Sequence, residues 1–370
     1  MEANPLIYVG LRGMGKTVLL ATAVKELQDR GWLAGYAEAR RDVEPGVAVA
    51  NIIAEGSRLL DGEKKLRRVL RGVTRSIGRG RLEVNASGTV AVEVEVGPTR
   101  TDLFGDLVRL FGELGEAARE DGVGVALLID ELQTLKRADQ TTLIQAFAKV
   151  RSFPIVLIGA GLPYLPEDLS KANTYAERFR YERIDRLPMI DVREAIVAPA
   201  MDEGVSWSPD ALQRVIDASS GYPYFVQLYA SETWEAAAPR VGTEITMAHV
   251  EQAEGPVHQQ LDVGLYAARY DRMTPSEREY VNTMVGLMEA GAERLEEARV
   301  PDLSSFYTAN ERVRSGDVAR ALDRQITQVG PVRDRLIHKG IIHSPARDRL
   351  EFSVPGFADY VRRRGEAENL

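Results

Sequence analysis

The sequence predicts an α/β fold: a parallel sheet with helices on both faces, then a small helical domain, then a C-terminal module of three helices and a hairpin. Three observations carry this. Short apolar runs alternate with helical periodicities as far as residue 158. One of these runs opens into a glycine-rich turn, and another ends in two consecutive acids. After about Pro188 the strand signals stop and helical spacing takes over.

In chain order, Leu6-Ile7-Tyr8-Val9 reads as a buried strand, and Thr17–Arg30 as a helix with Val18, Leu19, Leu20, Ala23, Val24 and Leu27 at helical spacing, ended by Gly31. Trp32–Ala39 reads as a second strand and Val47–Leu60 as a helix. Lys64–Arg81 is basic and fits either a solvated helix face or a polyanion surface. Strict alternation over Val90, Val92, Val94 and Val96, with Asn85-Ala86-Ser87-Gly88 as the turn, predicts a half-exposed hairpin inserted in the core near 82–97. A helix over Thr101–Glu120 follows, then the apolar strand Val125–Ile129 ending in Asp130-Glu131. A helix at Thr141–Val150 and a strand at Ile155–Ile158 complete the alternation. Val192–Ala200, Pro209–Ala218, Tyr224–Ala238 and Thr246–Ala268 read as helices.

The bulk properties exclude several classes. The 370 residues are 44% hydrophobic and 28% charged, which suits ordinary globular domains, and no apolar run reaches the length of a membrane span. The opening Met1-Glu2-Ala3-Asn4-Pro5 does not read as a signal peptide. The absence of cysteine removes disulfides, thiolate metal sites and cysteine nucleophiles, and fits a cytoplasmic location. The net charge of −8 argues against a protein that coats nucleic acid generally. From Arg312 to Arg364, however, 12 Lys/Arg face 6 Asp/Glu, a local +6. Any polyanion contact belongs there, unless the segment is simply a solvated basic face.

Gly10-Leu11-Arg12-Gly13-Met14-Gly15-Lys16-Thr17 matches G-x-x-x-x-G-K-[ST] at every required position, with a strand before it and a helix after it. Such a loop turns successive backbone N–H groups inward on phosphate oxygens, and glycine permits the dihedrals this needs. Lys16 is expected to reach the β- and γ-phosphates and the Thr17 hydroxyl to ligate Mg²⁺. Gly10, Gly13, Met14, Gly15, Lys16, Thr17 and Val18 are the candidate nucleotide contacts. Asp130 at a strand end suits the magnesium-side acid. Glu131 beside it suits a base that orients and deprotonates water.

Strand, loop, helix, then Ala126-Leu127-Leu128-Ile129-Asp130-Glu131, a further strand and a helical segment together resemble the AAA+/STAND ATPases, nearest to the replication-initiator (origin-recognition-like) type. The resemblance covers most of the chain. It implies a P-loop ATPase core at 1–187, a helical lid at 188–268 and a winged-helix domain at 269–370, with ATP or ADP and Mg²⁺ as ligands. Ala176-Glu177-Arg178-Phe179, before Ile184 and Leu187-Pro188, resembles the family's Arg-Phe segment, which makes Arg178 the candidate arginine acting across subunits. Arg180 and Arg183 are rivals. Gly221-Tyr222-Pro223 resembles the lid motif that helps hold nucleotide, so Tyr222 and Pro223 join the candidate contacts. The chain departs from the pattern at Gly159-Ala160-Gly161, where a polar sensor residue is expected, and at Tyr224, where initiators often carry arginine. Both departures imply slow turnover.

Thr274-Pro275-Ser276-Glu277 is a helix start with a Thr cap, Pro first and Glu three after the cap. Ser315 is expected to cap a helix through Leu322, and Thr327–Lys339 to form a third. Ile341–His343 and Leu350–Val354 read as a hairpin. On a winged helix bound to double-stranded DNA, Gln328, Arg333 and Lys339 would enter the major groove, while Arg347 and Arg349 on the wing would meet phosphates. The expectation is therefore a nucleotide-controlled ATPase that engages DNA or assembles with itself. The alternative is a nucleotide-dependent scaffold whose winged helix binds a protein. A metabolic kinase fits less well, since no small-substrate domain is evident.

Overall fold

The computed structural model describes residues 4–57, 81–84, 90–93, 102–297, 312–346 and 348–368. The chain divides into two compact units. The first comprises 1–10 and 15–184, and the second comprises 185–370 together with loop residues 11–14.

The first unit is built on a five-stranded parallel sheet. Its strands are β1 (Leu6–Val9), β2 (Leu33–Glu38), β5 (Val125–Asp130), β6 (Ile155–Gly161) and β7 (Arg180–Arg183), in the order β2-β5-β6-β1-β7. Every residue of β5 is buried. Its alternate side chains serve two different cores, as the two-residue strand period requires. Val125, Leu127 and Ile129 pack with Val49, Ile52, Leu107, Phe111 and Phe147. Ala126 and Leu128 pack instead with Leu20 and Val24 of α1 (Lys16–Asp29). A continuous apolar run is thus the signature of a strand covered on both faces. The second core face is closed by α2 (Pro45–Ser57), α3 (Leu103–Asp121) and α4 (Arg137–Val150).

β3 (Arg81–Val84) and β4 (Val90–Glu93) pair antiparallel between α2 and α3, where the sequence places its hairpin. The hairpin's turn and most of the basic Lys64–Arg81 stretch lie outside the described residues. α3 begins after Asp102, whose carboxylate accepts the Gly105 N–H at 2.9 Å. α4 starts a turn earlier than its apolar spacing suggests, and β6 runs on through the three residues Gly159-Ala160-Gly161. A short helix α5 (Leu165–Ala172) and a 3₁₀ turn (Thr174–Arg178) lead into β7.

In the second unit, α6 (Met189–Asp202), α7 (Pro209–Ser219), α8 (Pro223–Ala237) and α9 (Met247–Gln260) follow the expected helices closely. Strands do not stop altogether, as the sequence suggested. Ser206–Trp207 (β8) and Glu244–Ile245 (β9) pair in parallel, each too short to leave an alternation pattern. The expected helix over 246–268 is also interrupted: Leu261–Ala267 winds as a π-helix before α10 (Ala268–Asp271). Within that segment the Tyr266 hydroxyl donates to the Pro355 carbonyl at 2.7 Å, and its ring lies 6.0 Å from Phe357 and 5.5 Å from Tyr360.

α11 (Pro275–Glu297) starts as its cap residues dictate, with the Thr274 N–H donating to Glu277 at 2.8 Å. α12 (Ser315–Ala321) follows Arg314, so Ser315 is the first helical residue rather than the cap, and its side chain is buried. α13 (Ile326–His338) is closed at its start by Gln325 and Gln328, each bonding the other's backbone N–H. β10 (Ile342–Ala346) and β11 (Arg349–Phe352) form the expected hairpin, extended by a bridge from Val313 to Leu350, and α14 (Phe357–Glu368) follows.

Candidate functional site

In the first unit, β1 ends at Val9 and α1 begins at Lys16. Gly10 passes so close to the end of β7 that a Cβ there would sit 2.5 Å from the Ile184 carbonyl oxygen. Gly15 has φ +80°, a left-handed conformation in which any other residue is strained. Lys16 is 5% exposed, and its Nζ donates to the Gly10 carbonyl at 2.9 Å, which draws the ammonium back over the loop. The Thr17 hydroxyl donates to Asp130 Oδ2 at 2.6 Å, across 113 residues of sequence. Asp130 is 1% exposed.

The strand register explains what surrounds Asp130. β2 lies beside β5 with Glu38 opposite Asp130, so Tyr36 reaches forward and its hydroxyl donates to Asp130 Oδ2 at 3.4 Å. Burial, then the Asp130 charge, push the Tyr36 phenol up to about 12, so it remains a donor. Asp130 Oδ1 accepts the Glu131 N–H at 2.7 Å. Glu131 has φ +52° and turns the chain out of the strand, and its carboxylate accepts from Gln133 Nε2. Tyr36 and Gln133 are site residues that sequence reasoning missed. Neither belongs to a motif, and only strand register and the turn after Asp130 bring them in.

The loop tip belongs to the second unit, and there Tyr222 governs it. Tyr222 is 1% exposed, and its hydroxyl donates to the Arg12 carbonyl. The Tyr224 N–H donates to the Gly13 carbonyl at 3.3 Å. Gly13 has φ +82°, and a Cβ on it would lie 2.8 Å from the Tyr222 ring. Since no peptide among the described residues is cis, a carbonyl turned towards the Tyr222 segment turns the following N–H away from it. The N–H groups of Gly13 and Met14 therefore point away from Tyr222. Among the described residues, those of Gly13, Met14 and Gly15 have no acceptor within the chain, as an anion cradle requires. Tyr222 was expected among the nucleotide contacts. It is buried and bonded to the loop backbone, and burial pushes its phenol up to about 12. Pro223 is the first residue of α8, and Val18 is exposed on α1.

Arg178 ends the 3₁₀ turn before β7, is exposed, and holds its guanidinium 5.6 Å from the centre of the Tyr175 ring. It borders a cavity of about 480 Å³ lined also by Lys149, Arg151 and Glu177. Its rival Arg180 pairs with Glu182 at 2.6 Å. Far from the loop in sequence, two of the groove-contact candidates serve the fold. Gln328 Oε1 accepts the Gln325 N–H at 2.8 Å in the cap of α13. Lys339 Nζ donates to Glu277 at 2.6 Å and to the Arg272 carbonyl at 2.9 Å. Arg333 pairs with the neighbouring Asp334 at 2.9 Å. Arg349 lies half-buried on β11, and Arg347 lies outside the described residues.

Residues 3–158 match the family model of the AAA ATPase domain. This region is an AAA ATPase domain. Residues 263–361 match a domain of unknown function, DUF8462. No curated protein matches the chain in sequence. Among solved structures, the chain is similar in fold to the Walker-type ATPase of Pyrococcus abyssi, at 13% identity and a TM-score of 0.59, covering 97% of this chain and 91% of that one. Lower overlap, at a TM-score of 0.42 and 15% identity, is found with the Orc1 protein of Aeropyrum pernix in complex with DNA, covering 100% and 88%. Among the described residues no helix is long and apolar enough to cross a membrane.

The ATPase domain implies a nucleotide bound with a divalent metal. The residues present fit such an ion. Among the described residues no cluster of three or more His, Cys, Asp or Glu is poised to hold a metal. The site instead offers one hydroxyl and one carboxylate, Thr17 and Asp130. That set suits Mg²⁺, which keeps water and phosphate oxygens as its other ligands.

Proposed function

We propose that the protein binds ATP with Mg²⁺, hydrolyses it slowly, and uses the nucleotide state to govern engagement of DNA by a C-terminal winged helix. The observation that carries the nucleotide reading is the 2.6 Å contact between Thr17 and Asp130 beside Lys16, in a loop with unpaired amides at Gly13, Met14 and Gly15. In the reaction, a water oxygen bonds to the γ-phosphorus as the bond to the β–γ bridging oxygen breaks, giving ADP and phosphate. Glu131 orients the water and takes its proton. Lys16 and the loop amides stabilise the phosphate charge, and Arg178, exposed on its turn, serves a neighbouring copy in a homo-oligomer. Magnesium bound by Thr17 and Asp130 supplies further neutralisation of that charge.

The DNA part of the reading draws on the local +6 and on the helix-and-hairpin order of 275–352. With Gln328 and Lys339 engaged in the fold, Arg314, Arg333 and Arg349 become the leading phosphate contacts. A second reading, a protein partner in place of DNA, is favoured by α13 itself. Its start exposes Ile326 at 56%, and its basic residues face Asp334 and Glu277. ATP affinity and DNA affinity measured together at about 50 and 200 mM salt test both, since phosphate contacts weaken steeply over that range. Unchanged nucleotide affinity in Lys16→Ala sinks the site assignment, and absence of DNA binding at low salt in every nucleotide state leaves the protein-partner reading.

A further inference from the structure

β6 ends in Gly159-Ala160-Gly161 and brings no polar side chain of its own to the end of the sheet. The space beside its last residue is filled from elsewhere. Gly161 does not have positive φ, so nothing in its backbone demands glycine. The glycine leaves room there: a Cβ would lie 2.5 Å from Gln133 Oε1 and 2.5 Å from Leu165 Cδ2, so these side-chain ends would have to shift to admit it.

Gln133 makes two contacts that fix which way its amide points. Oε1 accepts the Leu162 N–H at 3.2 Å, and Nε2 donates to the Glu131 carboxylate. A backbone N–H needs an acceptor and a carboxylate needs a donor, so the flipped amide would fail both. The turn that carries Gln133 is itself tied down. Gln140 Nε2 donates to the Leu132 carbonyl at 3.3 Å, and the Thr134 hydroxyl donates to the Ala39 carbonyl at 2.5 Å. Glu131 enters that turn in a left-handed conformation, and its carboxylate accepts from Gln133 Nε2.

We propose that Gln133 is a positioning residue for hydrolysis: its amide ties the Glu131 carboxylate to the end of β6, doing from the neighbouring turn what a polar side chain on β6 would otherwise do. This rests on the reading of Glu131 as the group that activates water. The amide holds Glu131 Oε2 and leaves Oε1 to meet the water. The glycine at 161 and the glutamine at 133 are two halves of one arrangement, and moving the polar group back to β6 should be possible.

The test is steady-state ATP hydrolysis by the full chain, with melting temperature and MgATP affinity measured on each variant. Gln133→Leu is expected to lower kcat by up to about a hundredfold, the cost of misplacing a catalytic group by about 1 Å, with KM within about twofold of wild type. Gln133→Glu, the same shape without the donor, is expected to show the same loss. Gln133→Ala combined with Gly161→Asn is expected to recover most of the rate that Gln133→Ala loses. A folded Gln133→Leu protein with unchanged or raised kcat overturns the inference. So does a double variant no faster than Gln133→Ala alone. Wild type that binds MgATP yet shows no turnover removes the hydrolysis reading, and this inference with it.

Discussion

Glu277 is the side chain whose removal has the most calculable effect. It is 0% exposed, yet it carries a carboxylate at the start of α11. Three groups hold it: the Thr274 N–H at 2.8 Å, Lys339 Nζ at 2.6 Å and Arg335 Nε at 3.3 Å. Breaking a buried pair from one side costs about 3–5 kcal/mol when both charges are sealed from water. Here the side chains of Lys339 and Arg335 are 35% and 50% exposed and can turn to solvent. An amide in place of the carboxylate would also keep an acceptor for the Thr274 N–H. Glu277→Gln is therefore expected to cost roughly 2 kcal/mol, lowering Tm by about 4–8 °C for a cooperative unit of this size. pH supplies the sharper check. Burial pushes the Glu277 carboxyl up, but the Lys339 hydrogen bond and the Thr274 N–H outweigh it and hold it below its ordinary value. A carboxylate depressed in the folded state adds stability above its unfolded pKa, and that stability is lost as pH falls through the folded value. The melting curves of wild type and the Glu277→Gln variant should therefore stand apart at neutral pH and converge below about pH 4.5. A gap under about 0.5 kcal/mol at neutral pH, or one that persists unchanged into acid, would refute the assignment of Lys339 and Arg335 to the fold.

Asp130→Asn and Thr17→Ala should each abolish most of the Mg²⁺ dependence of ATP affinity in titrations with and without chelator. Equal Mg²⁺ dependence in wild type and both variants argues against this metal site. Arg178→Ala should leave ATP affinity unchanged but remove any rise of turnover per chain with protein concentration, read from rates across a broad dilution series. Tyr222→Phe removes one hydrogen bond to the Arg12 carbonyl and should weaken tripolyphosphate binding about fivefold, the equivalent of ~1 kcal/mol. Calorimetry with wild-type affinity in that variant would show that the loop holds its shape without the hydroxyl.

What the sequence made legible follows from range. The phosphate loop is eight consecutive residues between a strand and a helix, and its required Gly10, Gly15, Lys16 and Thr17 stand at fixed local spacing. β5 is legible for the same reason: its apolar positions record burial on both faces, and the acids mark where the strand leaves the core. The helix starts at Thr274 and after Asp102 likewise depend on residues three apart. Local patterns cannot record which side chain a distant backbone will meet. Lys339 reads as a basic residue at a helix end, and only the packing of α13 against α11 turns it towards Glu277.

The glycines show where a trace of that long-range information survives. Gly13 and Gly161 sit in sequence as a loop residue and a strand residue, and their contexts differ. At Gly13, positive φ and the Tyr222 ring both disfavour a side chain, so the motif's own glycine doubles as a seat for Tyr222. At Gly161 the backbone is ordinary, and it is the ends of the Gln133 and Leu165 side chains that occupy the space a Cβ would enter. A glycine in a strand end with no conformational reason to be glycine marks a place where another side chain has taken the space. In this chain one such side chain, Gln133, reaches the proposed catalytic carboxylate, so the missing polar residue on β6 and the extra amide after β5 have one explanation rather than two.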